Sequence, residues 1–169
     1  MSISMYRTSV PVFVRALKSL ATILDKAQAH AEAKKIAANV LPASRLIADM
    51  FPLSRQIQIA SDHAKGSVAR LAGVDIPKYE DNEQTIEDLQ TRVAKTIAFV
   101  ESFTAAQIDG SEERDIVLTL SSGELKFKGI DYLLGFALPN FYFHAVTAYD
   151  ILRQNGVEIG KRDFLSLTR

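Results

Sequence analysis

Two polar side chains, Asn140 and His144, interrupt the apolar face of a predicted helix near the C-terminus. They are four residues apart, so they lie one turn apart on the same side of the helix. The helix is predicted to begin at Pro139 and to end at Gly156. A polar pair on an apolar face needs a partner, which can be a side chain, a water molecule, a ligand or a metal ion. This pair is therefore the best candidate for a functional site.

A second polar group lies on an earlier predicted helix. His63 is at the edge of the apolar stripe of that helix, with Gln56 and Ser67 on the same flank at helical spacing. We expect the two helices to pack together and their polar residues to line one pocket. The predicted pocket residues are Gln56, His63, Asn140 and His144.

The histidines have ordinary explanations as well as functional ones. His144 can be a core histidine hydrogen-bonded to a neighbouring helix, part of a ligand pocket without metal, or a metal ligand, because imidazole needs only one good partner. His63 is also compatible with simple polarity at the boundary of the core. His30 stands among alanines and a glutamate and is predicted to be solvated.

The composition excludes several classes of function. Twenty basic and twenty acidic residues cancel, so no attraction to nucleic acid or to an anionic membrane is expected. The chain has no cysteine, which removes disulfides, cysteine zinc sites and a protein thiolate nucleophile. Any thiol chemistry would need a small-molecule thiol. Without a signal peptide or an apolar run long enough for a bilayer, a cytoplasmic location is expected.

The 169 residues predict a single domain over 1–169. Apolar residues recur at steps of three and four in four long segments, which predicts four amphipathic helices. The third is predicted to follow a capping box formed by Asp81 and Gln84. The segments run from about Ser9 to about Lys35, from Pro52 to Gly73, from Asp81 to Phe103, and from Pro139 to Gly156.

Between Asp109 and Gly129 the apolar period changes from 3.6 to 2, which predicts a β-hairpin with its turn at 121–123. A short helix is predicted over 130–137, and Pro139 either kinks it or begins the final helix afresh. One helical turn is expected in 36–52, and an irregular tail with Phe164 and Leu165 packed on the bundle. The predicted fold is all-α: a four-helix bundle with a small β-hairpin before the last helix.

Tyr142, Tyr149 and Arg153 form a second stripe on the last helix, on the side away from Asn140 and His144. Tyrosine and arginine on an outer face suit an interface, although they also extend over neighbouring helices with their polar tips in water. Because two-fold homodimers are common among soluble oligomers, we expect a homodimer with this helix near the axis.

Several segments resemble the DinB/YfiT-like superfamily. The last helix carries the resemblance through 140–144 and through Leu152-Arg153-Gln154-x-Gly156. The segments 50–53, 64–65, 70–73, 139–144 and 148–153 are similar, more narrowly, to an uncharacterised bacterial and fungal branch known only as a domain of unknown function. The resemblance extends over nearly the whole chain.

The resemblance implies a divalent metal, zinc or nickel, held by three histidines in the superfamily. One comes from the second helix and two, four residues apart, come from the fourth. Characterised members include S-transferases and isomerases that use a low-molecular-weight thiol. When the last helix is matched through Leu152-Arg153-Gln154-x-Gly156, His144 falls on the second histidine of the fourth-helix pair, and Asn140 stands where the first is expected. The resemblance implies His63 as the histidine of the second helix.

Asn140 departs from the superfamily pattern of three histidines, and this difference decides the predicted function. An amide oxygen is a poor zinc or nickel ligand compared with imidazole. We predict a small-molecule-binding or structural homodimer with a degenerate metal site and no bound cofactor. The alternative is a metal-dependent thiol S-transferase or isomerase. There a metal on His63 and His144 would lower the pKa of an incoming thiol.

Overall fold

The computed structural model describes residues 3–120 and 123–167 and confirms the four-helix bundle with a hairpin before the last helix. α1, α3, α4 and α7 are the four long helices. The elements are α1 (Met5–Lys34), α2 (Val40–Ala43), α3 (Leu53–Ala72), α4 (Ile86–Glu101), α5 (Ala105–Ile108), β1 (Asp115–Leu120), β2 (Gly123–Lys128), α6 (Gly129–Tyr132), a π-helical segment (Leu133–Ala137), α7 (Leu138–Gln154) and α8 (Lys161–Phe164).

Helix packing follows the apolar stripes. α3 packs against both α4 and α7, and α1 packs against α4. Phe13 of α1 meets Phe141 of α7 edge to face, with ring centroids 5.1 Å apart and both side chains fully buried. This aromatic contact ties the first helix to the last. None of the described helices is both long and apolar enough to cross a membrane.

Two helix starts differ from the sequence prediction. α1 begins at Met5 rather than near Ser9, because the Ser4 side chain accepts a hydrogen bond from the backbone of Arg7 and caps the helix. The capping box of α4 is formed by Thr85 and Asp88, so the predicted box at Asp81 and Gln84 is wrong. Asp81 is instead drawn into an ion cluster.

That cluster surrounds Arg92 of α4, whose side chain is 2% exposed. Its guanidinium lies 2.8 Å from a carboxylate oxygen of Glu83, 3.0 Å from one of Asp62 and 3.1 Å from one of Asp81. Lys65 also pairs with Asp62, at 2.9 Å. The cluster fastens the connection between α3 and α4 onto both helices and fixes Asp62 beside His63.

The hairpin pairs its strands antiparallel, from Asp115 opposite Lys128 to Leu120 opposite Gly123. Residues 121 and 122 of the predicted turn lie outside the described residues. Ile116 and Leu118 are buried against the bundle, while the ring of Phe127 contacts that of Tyr132 at 6.1 Å between centroids. The hairpin therefore covers the side of the bundle formed by α6 and α3.

The last helix is continuous with α6 through the π-helical segment, so Pro139 does not begin a helix afresh. The backbone N–H of Leu138 bonds to the carbonyl of Leu133, five residues earlier. This wide turn comes immediately before Pro139, whose missing N–H interrupts the regular α-helical ladder. The segment brings Tyr132 and Asn140 onto one continuous helical rod.

The tail is more ordered than predicted. α8 is held on α1 by an ion pair between Lys26 and Asp163, at 2.7 Å. Phe164 packs against Tyr149, with ring centroids 5.8 Å apart, as expected for a packed tail. The corresponding prediction for Leu165 is wrong, because this side chain is 42% exposed. Asp163 and Phe164, rather than Leu165, anchor the end of the chain.

Candidate ligand site

Gln56 and His144 join α3 to α7. The Gln56 side chain is buried, and its amide nitrogen donates to the carbonyl of Phe51 at 3.1 Å. The amide oxygen of Gln56 therefore faces His144, whose Nδ1 lies 2.7 Å away. An oxygen can only accept, so Nδ1 carries the proton and Nε2 keeps its lone pair. In the neutral form of His144, Nε2 is thus an acceptor, and among the described residues no side chain hydrogen-bonds to it.

His63 lies beside His144. The two rings are nearly parallel, with 14° between their planes and 6.1 Å between centroids. Burial lowers the pKa of His63 to about 4, reinforced by the charge that His144 carries when protonated and by the charge of Arg70, and opposed by that of Asp62. Burial and the charge of Arg55 also lower the pKa of His144. Both imidazoles are therefore neutral at neutral pH.

Asn140 lies one turn before His144, but it is satisfied within its own helix. Its amide nitrogen donates to the carbonyl of Phe136 at 2.7 Å, which leaves only the side-chain oxygen as an acceptor. Contacts thus connect Gln56, His144 and His63, three of the four predicted pocket residues. In the described parts of the chain, Asn140 makes no hydrogen bond to the other three.

A cavity of about 240 Å³ opens beside His63, between α3, β1 and the rod formed by α6 and the π-helical segment. Val117, Leu118 and Thr119 of β1, together with Phe136, form one side of it. The other residues that line the cavity are polar: Asp62, His63, Arg70 and Tyr132. The histidine edge of the predicted site thus borders a small cavity with a mixed wall.

Arg70 and Tyr132 are site residues that the sequence analysis missed. Tyr132 is completely buried, and its hydroxyl accepts a hydrogen bond from Nη1 of Arg70 at 3.1 Å. A signal for Arg70 was present, because it lies seven residues after His63 and therefore on the same flank of α3. Tyr132 gave no such signal, since its position depends on where the hairpin sets the start of the last helical rod.

A larger groove, of about 490 Å³, runs between α1, α7 and α8 and contains none of the predicted pocket residues. Tyr142 lines it together with Arg15 and Phe164. Burial raises the pKa of the Tyr142 hydroxyl, opposed by the charge of Arg15. Since Tyr149 also packs on Phe164, the tyrosine stripe is used partly within its own chain.

The outward apolar face of α7 is set by other residues. Phe143 is 58% exposed and Val146 is 41% exposed, compared with 36% for Tyr142. Arg153 is exposed and donates to the carbonyl of Val157 at 3.3 Å. His30 is half-buried near Gly156 rather than fully solvated, and so stands apart from this face and from the site.

The donor set does not fit a metal held by three histidines. It contains two imidazoles, and the residue at the third position, Asn140, offers only an amide oxygen, which is a poor ligand for zinc or nickel. Asp62, the carboxylate nearest in sequence to His63, is shared by Lys65 and Arg92. Across residues 3–120 and 123–167, no three or more His, Cys, Asp or Glu residues form a group able to hold a metal ion.

The bundle, the hairpin before the last helix and the histidines between α3 and α7 define a DinB-like protein. The family model described as "Domain of unknown function (DUF1993)" matches residues 5–165. The chain therefore belongs to the DUF1993 family.

A solved structure supports the same relationship. The chain is similar to a DinB family member protein from Shewanella denitrificans, whose crystal structure was determined at 1.83 Å resolution. The two are 43% identical, with a TM-score of 0.86 and coverage of 95% of this chain and 90% of that chain. The curated proteins include no match to this chain.

Proposed function

We propose that this protein binds a small molecule at His63 and His144 and does so without a resident metal ion. The observation that supports the proposal is the fixed Gln56 amide, which sets the tautomer of His144 and leaves its Nε2 as an acceptor. His63 supplies a second neutral imidazole beside a cavity. His63 lines this cavity and His144 lies next to His63, with 6.1 Å between ring centroids. Neutral imidazole acceptors at and beside a cavity suit the binding of a ligand that donates hydrogen bonds.

Thiol chemistry is the alternative, and the energetics disfavour it for this chain. A thiol has a pKa of about 8.5, whereas the pKa of His63 is about 4. Moving the thiol proton to His63 would therefore cost roughly 6 kcal/mol. A metal ion would remove that cost by stabilising the thiolate. Since the donor set does not fit a three-histidine metal site, binding is the better-supported function and an S-transferase or isomerase the second candidate.

Metal analysis tests this choice. Protein purified without a metal-affinity tag is expected to hold no stoichiometric zinc or nickel, because two imidazoles and one amide oxygen form a poor site for either metal. The measurement is elemental analysis by mass spectrometry, with His144→Ala as the comparison. Finding about one equivalent of metal in the unmodified protein, lost in the variant, would reverse the choice and favour the enzyme.

We also infer that the protein forms a homodimer through the outward face of α7. Phe143 and Val146 are three residues apart, so they form one exposed apolar patch, and Tyr142 borders it. A patch of this kind is typical of an interaction site. A second copy is the occupant we favour, because closed two-fold dimers are the commonest soluble oligomers.

Replacing Phe143 and Val146 together by serine is expected to weaken self-association while helix content stays the same, because both side chains point outward. Light scattering at tens of micromolar measures the association, and circular dichroism measures the helix content. Val74→Ser, at a position 46% exposed beyond the end of α3, is the control and should leave the dimer intact. A monomeric unmodified protein at this concentration would contradict the inference.

A further inference from the structure

Within residues 3–120 and 123–167, Arg70 forms no ion pair. In the described part of the chain, no carboxylate lies within ion-pair distance of its guanidinium, although the side chain is half-buried. The carboxylate that shares its cavity, Asp62, is already bound by Lys65 at 2.9 Å and by Arg92 at 3.0 Å. A guanidinium stays charged at any physiological pH. The cavity therefore has one wall with uncompensated positive charge.

The position of this charge is set by its neighbours. Nη1 of Arg70 donates to the hydroxyl of buried Tyr132 at 3.1 Å, and that hydroxyl lies 3.4 Å from Oγ of Ser67. Ser67 in turn donates to the carbonyl of His63, so the Tyr132 hydroxyl donates to Ser67. Gly66 leaves room for the guanidinium, since a Cβ there would stand 2.7 Å from Nη1. The arginine is held across the face of α3 rather than extended into water.

The remaining geometry restricts what can bind. Nη1 of Arg70 is engaged by Tyr132, and among the described residues no acceptor is bonded to Nη2 or Nε. These two nitrogens form one edge of the planar group, which is the arrangement that pairs with both oxygens of a carboxylate. Val117 and Phe136 offer an apolar wall, and His63 offers a neutral acceptor. A volume of about 240 Å³ is below the usual range for drug-sized ligands and suits a molecule of a few heavy atoms.

We propose that the cavity binds a small organic carboxylate, with Arg70 pairing with the carboxylate and His63 accepting a hydrogen bond from a hydroxyl on the ligand. The short apolar part of the ligand rests against Val117 and Phe136. This inference rests on the proposed function, because it names the ligand class of the same site. A hydroxy acid of two or three carbons meets all three requirements.

Isothermal titration with lactate tests the proposal, with lactamide as a neutral ligand of nearly the same size. We expect saturable binding of lactate and binding of lactamide at least about tenfold weaker, because a charge-assisted pair is replaced by a neutral one. Arg70→Gln should weaken lactate binding by a similar factor. Arg153→Gln, which removes an exposed arginine on α7, is the matched control and should change nothing.

Gly66→Ala separates placement from charge. It keeps Arg70 but places a methyl group 2.7 Å from the present position of Nη1, so the guanidinium must shift. Lactate binding should therefore weaken although the net charge is unchanged. Equal binding of lactate and lactamide that is lost in His63→Ala would overturn the carboxylate inference and leave the proposed function standing. Inorganic phosphate binding as tightly as lactate would also overturn it. Failure of lactate to bind would overturn the carboxylate inference. If the purified protein also held about one equivalent of metal, the proposed function would be overturned as well.

Discussion

Replacing Arg92 by methionine is expected to lower the free energy of unfolding by roughly 3–5 kcal/mol, because it leaves a buried carboxylate without its cation. Glu83 is the partner most affected, since its side chain is only 9% exposed. Burial disfavours the charged form of Arg92, yet the hydrogen bond that Arg92 donates to Glu83 and the charges of Glu83, Asp62 and Asp81 outweigh it and hold the arginine pKa above its ordinary value. The cluster is therefore balanced only while the guanidinium is present.

Urea denaturation followed by circular dichroism measures this effect, and the chain offers a matched control. Lys18 forms an ion pair with Glu101, at side-chain exposures of 57% and 45%. Lys18→Met should cost less than about 1 kcal/mol, because exposed pairs contribute little. Adding Glu83→Gln to Arg92→Met should recover part of the loss. If Arg92→Met and Lys18→Met lowered the free energy of unfolding equally, the ion cluster around Arg92 would contribute no more to stability than an exposed ion pair.

The fold was predictable because each long helix carries its own apolar stripe. Leu17, Leu20 and Leu24 on α1 and Ile57, Ala60 and Ala64 on α3 are all completely or almost completely buried, as the periodicity required. The hairpin was predictable for a similar reason, since the change of period is local. Contacts that depend on distant residues were not: Asp81 looked like a helix cap in sequence, and only the folded chain brings Arg92 to it.

The candidate site was likewise predictable only in part. Gln56, His63 and His144 could be named in advance, because each is a polar residue on the flank of an apolar stripe and such residues need partners. The partner of His144 could not be identified, since its choice of Gln56 rests on the relative placement of α3 and α7. Arg70 became meaningful only when Tyr132 was seen beside it. Local sequence patterns thus predicted individual polar residues of the candidate site, whereas their hydrogen-bond partners depend on how the helices pack.

Asn140→His is expected to tighten zinc and nickel binding by more than about a hundredfold, since each well-placed ligand group strongly affects metal affinity. Histidines four residues apart on one helix face can reach a single ion, and His144 already presents Nε2 as an acceptor with Nδ1 held by Gln56. His63, with ring centroids 6.1 Å from His144, would supply the third imidazole. The substitution costs one hydrogen bond, from the Asn140 amide to the Phe136 carbonyl.

Asn155 provides a closely matched control for this gain. Its amide donates to the carbonyl of Ile151, four residues earlier, at 2.7 Å, as Asn140 does to Phe136 at the same distance. Asn155→His therefore adds a histidine and removes an equivalent bond at the end of α7, away from His63 and His144. Titration of zinc chloride against a competing chelator should show tight binding in Asn140→His alone, and the gain should vanish when His144→Ala is added. Equal zinc affinity in Asn140→His and Asn155→His would mean that the side chain at position 140 does not face His63 and His144. A histidine there would then bind zinc alone, as the histidine at position 155 does.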